Sequence, residues 1–133
     1  IQVGDARNAG ELDAVLQTLS KNRPEAILVG GDLLYLANKG KVAAAVRKAR
    51  VPAMFTYDDY HEPGALMSYG PSVREPGRLA AGYVDKILKG AKPAELPIQQ
   101  ISRFELIIDL RLAREQGIKV PQEMLFRADK VIQ

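Results

Sequence analysis

The chain has 133 residues, no cysteine, no tryptophan and one histidine, with a formal net charge of +3 at pH 7. Zero cysteines exclude disulfides, thiolate ligands and cysteine nucleophiles, and a lone histidine cannot build a typical zinc site. The length suits one domain with a real core. No run approaches the ~20 apolar residues that span a bilayer, and the positive charge lacks the Lys/Arg block that nucleic acid or an anionic membrane surface selects.

In chain order, Ile1-Gln2-Val3 reads as the tail of a strand, and a start at Ile rather than Met reads as a piece of something longer, with no signal peptide in view. Asn8-Ala9-Gly10-Glu11 has the spacing of a capping box, in which the cap side chain and a later acid satisfy the free amides of a first turn. Behind it, Leu12, Val15, Leu16 and Leu19 recur on one helical face, and Asn22 to Pro24 ends that helix. Ala26 to Val29 is all apolar, as expected of a strand covered on both faces in a parallel sheet. Gly30-Gly31-Asp32 closes it, Leu33 to Gly40 reads as a loop or short turn, and Val42 to Arg50 as the next helix. Ala53 to Thr56 predicts another strand, followed by the polar aromatic loop Tyr57 to Gly64. Strands and helices alternating in this way are the mark of right-handed βαβ units.

The second half is more distinctive. Ala65-Leu66-Met67 runs into Ser68-Tyr69-Gly70-Pro71, whose glycine and proline end a strand. A helix over residues 72–89 carries the apolar stripe Leu79, Ala80, Tyr83, Val84, Ile87 and Leu88, and Lys89-Gly90 stops it. Glu75-Pro76-Gly77 places its start near Pro76, since glycine is a poor helix former. Phe104 to Asp109 predicts a strand, Leu110 to Gln116 a helix stopped by Gly117, and Gln122 to Arg127 one or two further turns.

Four segments, Leu66 to Pro71, Ala80 to Pro93 (AAGYVDKILKGAKP), Phe104-Glu105-Leu106 and Ala128-Asp129, are similar to the substrate-binding proteins of bacterial ABC importers grouped as tryptophan/tyrosine transporters. The resemblance extends more weakly over the whole chain. It implies a type I periplasmic-binding-protein fold, of which these residues match only the second lobe: α/β, an open parallel sheet with flanking helices. Residues 1–133 then form a single domain, with 1–68 and roughly 98–120 as the lobe core. The 72–89 helix would pack on the first lobe. The resemblance also implies a non-enzymatic protein without cofactor or metal, periplasmic or extracellular and membrane-anchored. It would capture a small molecule, in the class of amino acids or aromatic acids, and pass it to a permease with its ATPase. A chain lacking the first lobe would cover the 72–89 helix by forming a homodimer.

In an open parallel sheet, ligands bind outside the carboxyl ends of the strands. Gly31 lets a ligand approach the backbone, Asp32 and Asp58 offer acceptors, Tyr57 and Tyr69 offer flat faces with a polar tip, and Ser68 a small donor and acceptor. The resemblance turns Asp32, Tyr57, Asp58, Ser68 and Tyr69 toward the cleft. The plainer readings stand beside it. Gly30-Gly31 turns the chain, Asp32 caps the short turn after it, Tyr57 and Tyr60 pack under the loop, and Asp59, Glu62 and His61 are solvated. Chemistry finds little support: Asp58 and Asp59 are adjacent and point apart on an extended segment, Ser68 lacks a Gly-x-Ser-x-Gly elbow, and no dinucleotide or P-loop glycine spacing comes after Gly31. A ligand-sensing domain of a transcription regulator and a flavodoxin- or receiver-like signalling domain are the other classes this alternation allows.

Overall fold

The computed structural model describes residues 1–61, 64–72, 74–101 and 103–133. In chain order these form α1 (Ala9–Asn22), β1 (Ile27–Val29), α2 (Leu33–Ala37), α3 (Lys39–Ala49), β2 (Ala53–Phe55), a 3₁₀ turn (Asp58–Tyr60), β3 (Met67–Gly70) and α4 (Arg74–Leu88). A second 3₁₀ turn (Pro93–Glu95), β4 (Glu105–Asp109), α5 (Leu110–Gln116), α6 (Gln122–Arg127) and β5 (Lys130–Ile132) complete the order.

Local signals set the helix ends. Asn8 Oδ1 accepts the Glu11 amide at 3.0 Å, while Glu11 Oε2 accepts the Arg7 amide at 2.9 Å, so the capping residues act where their spacing places them. The stretch after β1 is helical rather than a loop, because Asp32 caps it by accepting the Leu34 amide at 2.7 Å. Gly117 ends α5 at φ 71, the left-handed conformation that suits glycine. The 72–89 helix begins at Arg74, with Pro76 inside the first turn, where its missing N–H costs nothing.

The five strands lie in the order β1-β2-β3-β4-β5. β1, β2 and β3 are parallel, with Leu28 opposite Met54 and Phe55 opposite Ser68. β4 departs from the all-parallel expectation: it runs antiparallel to β3, pairing Tyr69 with Leu106, and β5 is parallel to β4. The physical cause is the excursion through α4, which does not cross the sheet but returns the chain at the end where β3 finishes, Glu105 opposite Gly70. The other strand corrections lie at the termini. Ile1 to Val3 forms no strand and is exposed, whereas Lys130 to Ile132, too short to signal itself, pairs with β4.

The main core fills one face of the sheet. Leu12 and Leu16 of α1 and Val42 and Val46 of α3 meet Ile27, Val29, Ala53 and Phe55 from β1 and β2. Each such side chain contributes about 1.5–3 kcal/mol through removal from water. A smaller cluster on the opposite face joins Leu66 and Met67 to Leu112 and Ala113 of α5. It does not extend to β1, so Leu28 is 75% exposed and that strand is covered on one face only, against the two-sided burial its apolar run predicts. α4 contributes no buried residue: Val84, Ile87 and Leu88 are all exposed.

Candidate functional site

The carboxyl ends of β1, β2 and β3 lie side by side because these strands are parallel and in register. The antiparallel return of β4 brings its first residue beside β3's last, Glu105 opposite Gly70. One sheet edge therefore gathers Gly30 to Asp32, Thr56 to Asp58, Tyr69 to Ser72, and the approach to β4.

β1 and β2 are tied there by Thr56 Oγ1, which donates to the Val29 carbonyl at 3.0 Å. Tyr57 is half-buried, and its hydroxyl lies 3.1 Å from where a Cβ on Gly31 would stand; glycine at 31 leaves room for the ring. Asp32 is exposed, with one carboxylate oxygen engaged as the α2 cap. Asp58 is half-buried: Oδ2 accepts from Ser72 Oγ at 3.3 Å, and Oδ1 is buried without a hydrogen-bond partner among the described residues.

Tyr69 is 53% exposed, and its ring lies 5.9 Å from that of Phe104, itself 48% exposed, just before β4. The two rings extend one apolar face across the β3–β4 pair at offset-stacking range. Phe104 escaped the sequence reading as a site residue. The signal that could have found it is the alternation Phe104, Leu106, Ile108, which in strand geometry shares the face of Tyr69 and Met67.

Ser68 is placed differently from the other five candidates. It points to the core face, is 1% exposed, and its Oγ meets His61 Nε2 at 2.8 Å. His61 is accordingly half-buried rather than solvated. Burial drives the His61 pKa below its ordinary value; Asp109, the Ala65 backbone and Asp58 pull it up and Lys130 pushes it down, but desolvation wins. Asp109, also 1% exposed, accepts from the Arg111 guanidinium at 2.7 and 3.1 Å and from the Arg111 and Leu112 amides at 2.9 and 3.3 Å. Burial alone would raise its pKa, yet the Arg111 pairing and these amides bring it below the usual carboxylate value. Serine and histidine meet here, with Asp109 acting on the ring through its charge alone, but the hydroxyl is enclosed and the carboxylate is committed to Arg111, so this group presents no exposed nucleophile.

Tyr60 packs as the plainer reading expects, 1% exposed and 4.5 Å from the Phe55 ring. Its hydroxyl is buried without a partner among the described residues, and its pKa is pushed up to about 12, by burial first and then by Tyr57, Asp32 and Tyr35. Asp59 is half-buried and Glu62 lies outside the described residues. Two surface depressions occur elsewhere, one lined by Leu110, Ala113, Ile118 and Val120, the other by Arg78, Tyr83 and Lys86. Neither touches the strand-end residues. Among the described residues no helix is long and apolar enough to cross a membrane, and no three His, Asp or Glu side chains form a metal-binding group.

The fold has counterparts among solved structures. A conserved domain protein from Vibrio cholerae is 25% identical with a TM-score of 0.84, over 95% of this chain and 42% of its own. The ABC domain from Streptococcus pneumonia in complex with L-Trp is 24% identical with a TM-score of 0.87, over 98% of this chain and 45% of its own. CD0873, a substrate-binding protein with adhesive properties from Clostridium difficile in a ligand-free, open state, gives 16% identity and a TM-score of 0.59, over 96% and 42%. The chain thus spans less than half the length of each. Among curated protein sequences none is significantly similar. The family model for ABC transporter substrate binding proteins matches residues 4–132, nearly the whole chain, and the chain belongs to that family.

Proposed function

We propose that this chain supplies one wall of a two-walled cleft that captures a small solute for an ABC importer. The observation that carries the reading is the convergence of Gly31, Tyr57, Asp58 and Tyr69 on one sheet edge, with Asp58 Oδ1 buried and unpaired there among the described residues. A buried acceptor left without a partner costs about 1–3 kcal/mol, and a ligand donor would recover it. The absence of these residues from either surface depression agrees with an edge that needs a facing wall to become a pocket.

The ligand we propose is an aromatic amino acid. Its ring would lie on Tyr69 and Phe104, and its ammonium group would reach Asp58, with Asp32 alongside. The L-Trp complex of the Streptococcus protein supports this class. Residues 1–68 and 98–120 would form this wall's core, and α4 would pack on the first lobe. Where that lobe is lacking, α4 would pair with a second copy of the chain. A permease is the proposed recipient of the solute, outside the cytoplasm.

Calorimetric titration with L-tryptophan and L-tyrosine, on this chain and on one carrying both walls, tests the reading. Asp58→Asn and Tyr69→Ala should each weaken binding by about tenfold or more, the loss of one charge-assisted hydrogen bond or one stacked ring. Tight binding unchanged in both variants would place the site elsewhere. Failure of every aromatic amino acid to bind would remove the ligand class.

A further inference from the structure

The strand-end edge is assembled from separate pieces, and one side chain joins two of them. His61, the only histidine of the chain, comes directly after the Asp58–Tyr60 turn, and its Nε2 lies 2.8 Å from Ser68 Oγ inside β3. The turn is the piece that bears Tyr57 and Asp58; β3 is the piece that bears Tyr69. A second link between them, Ser72 Oγ to Asp58 Oδ2, is long at 3.3 Å. Backbone bonds hold the turn together internally, His61 N–H to the Asp58 carbonyl at 3.1 Å and Ala65 N–H to the Tyr60 carbonyl at 2.9 Å. They do not fix the turn against the strand. The same turn also contains three buried polar atoms without partners among the described residues, Asp58 Oδ1, Tyr60 OH and His61 Nδ1, so it is polar and tightly enclosed at once.

We propose that His61 is a positioning residue for the cleft: its neutral imidazole clamps the Tyr57–Asp58 segment onto β3 through Ser68, and solute capture weakens when the ring takes up a proton. This rests on the cleft reading above. A neutral imidazole and a hydroxyl each have a donor and an acceptor, so either can donate across the 2.8 Å contact. A protonated imidazole has donors only. Ser68 must then accept, and its own hydrogen has to find a new acceptor in a 1%-exposed setting. The charged groups facing the ring offset this only in part. Asp109, at the end of β4, and Asp58, in the turn, favour the charged ring, but its burial outweighs them, and Lys130 of β5 opposes the added charge. From α3, Arg47 pairs with Glu115 of α5 at 2.6 Å beside Gly64, at the far end of the same loop.

A single histidine gives a single set of ring signals, so the test is spectroscopic and independent of any ligand. The ring carbon and nitrogen shifts are tracked by NMR from pH 7.5 downward, together with the amides of Tyr57, Asp58 and Tyr69. The expected result is one midpoint below the ordinary ~6.5 of histidine, shared by the ring and these three amides but not by amides of α1. His61→Gln, which can still bond Ser68 but cannot titrate, should hold the three amides at their neutral-pH positions throughout. His61→Ala should displace them at every pH; should that variant not fold, Ser68→Ala breaks the same bond from the strand side. A ring that titrates at the ordinary value overturns the proposal, as do amides that ignore its midpoint. In a parallel titration with L-tryptophan, affinity should fall about tenfold per pH unit below the midpoint in the parent and stay flat in His61→Gln, because only the neutral fraction is binding-competent. Absence of L-tryptophan binding at any pH counts against the ligand class alone; the spectra judge the positioning role.

Discussion

Gly70 illustrates how closely the strand ends are packed. A Cβ added there would stand 1.9 Å from the Thr56 carbonyl oxygen, a backbone atom that cannot swing away. Gly70→Ala should therefore destabilise the fold by about 3 kcal/mol, the upper end of ordinary overpacking, read as a lower urea midpoint. It should also spread β2 from β3 and weaken whatever binds at their ends. Asp32 invites a cleaner separation of roles. Asparagine caps helices as well as aspartate does, whereas alanine loses about 1 kcal/mol. Asp32→Ala should thus lower stability by about that amount and Asp32→Asn by only a few tenths. If Asp32→Asn nonetheless loses affinity for a cationic ligand, the lost charge and not the cap is responsible.

Among the elements, α4 stands apart because its apolar stripe has no cover among the described residues. Leu79 and Tyr83 are half-buried, and the Tyr83 hydroxyl donates to the Pro97 carbonyl, but Val84, Ile87 and Leu88 face water. Hiding such side chains is worth about 1.5–3 kcal/mol each, which favours self-association of this chain through the helix. Light scattering should report a dimer at micromolar concentration, and Val84→Glu with Ile87→Glu should return it to monomer. A parent chain monomeric across the concentration range would refute the pairing. The helix itself was legible from the 3.6-residue spacing of its stripe, since that spacing is a local property. The lack of cover over the stripe is not local, because any amphipathic helix looks alike until its neighbours are placed.

For the whole molecule, two titrating groups, half-buried His61 and buried Asp109, contribute to the response to acid in separate pH windows. His61 is held neutral, with its pKa below the ordinary value. The unfolded chain therefore takes up its proton first, and stability present above the ordinary value of ~6.5 declines as pH falls below it. Asp109 is held ionised with its pKa below 3.8, so its contribution persists to lower pH and is lost as pH falls from there through the folded value. Thermal melts between pH 7.5 and 3 should decline in these two stages, and His61→Gln should abolish the first stage only. The helices other than α2, the capping at Asn8, the order of alternating elements and the family could all be read from the sequence, because periodicity, turn residues and ordered motifs are written along the chain. The folded arrangement was needed to establish that β4 runs antiparallel, that β5 exists, that Ser68 faces inward, and that His61, read as a solvated loop residue, is half-buried against it. Each of these depends on which segments meet across the sheet. A short strand, a single histidine or a serine at a strand end carries too little local pattern to declare its partner, and the partner is what fixes burial, charge and role.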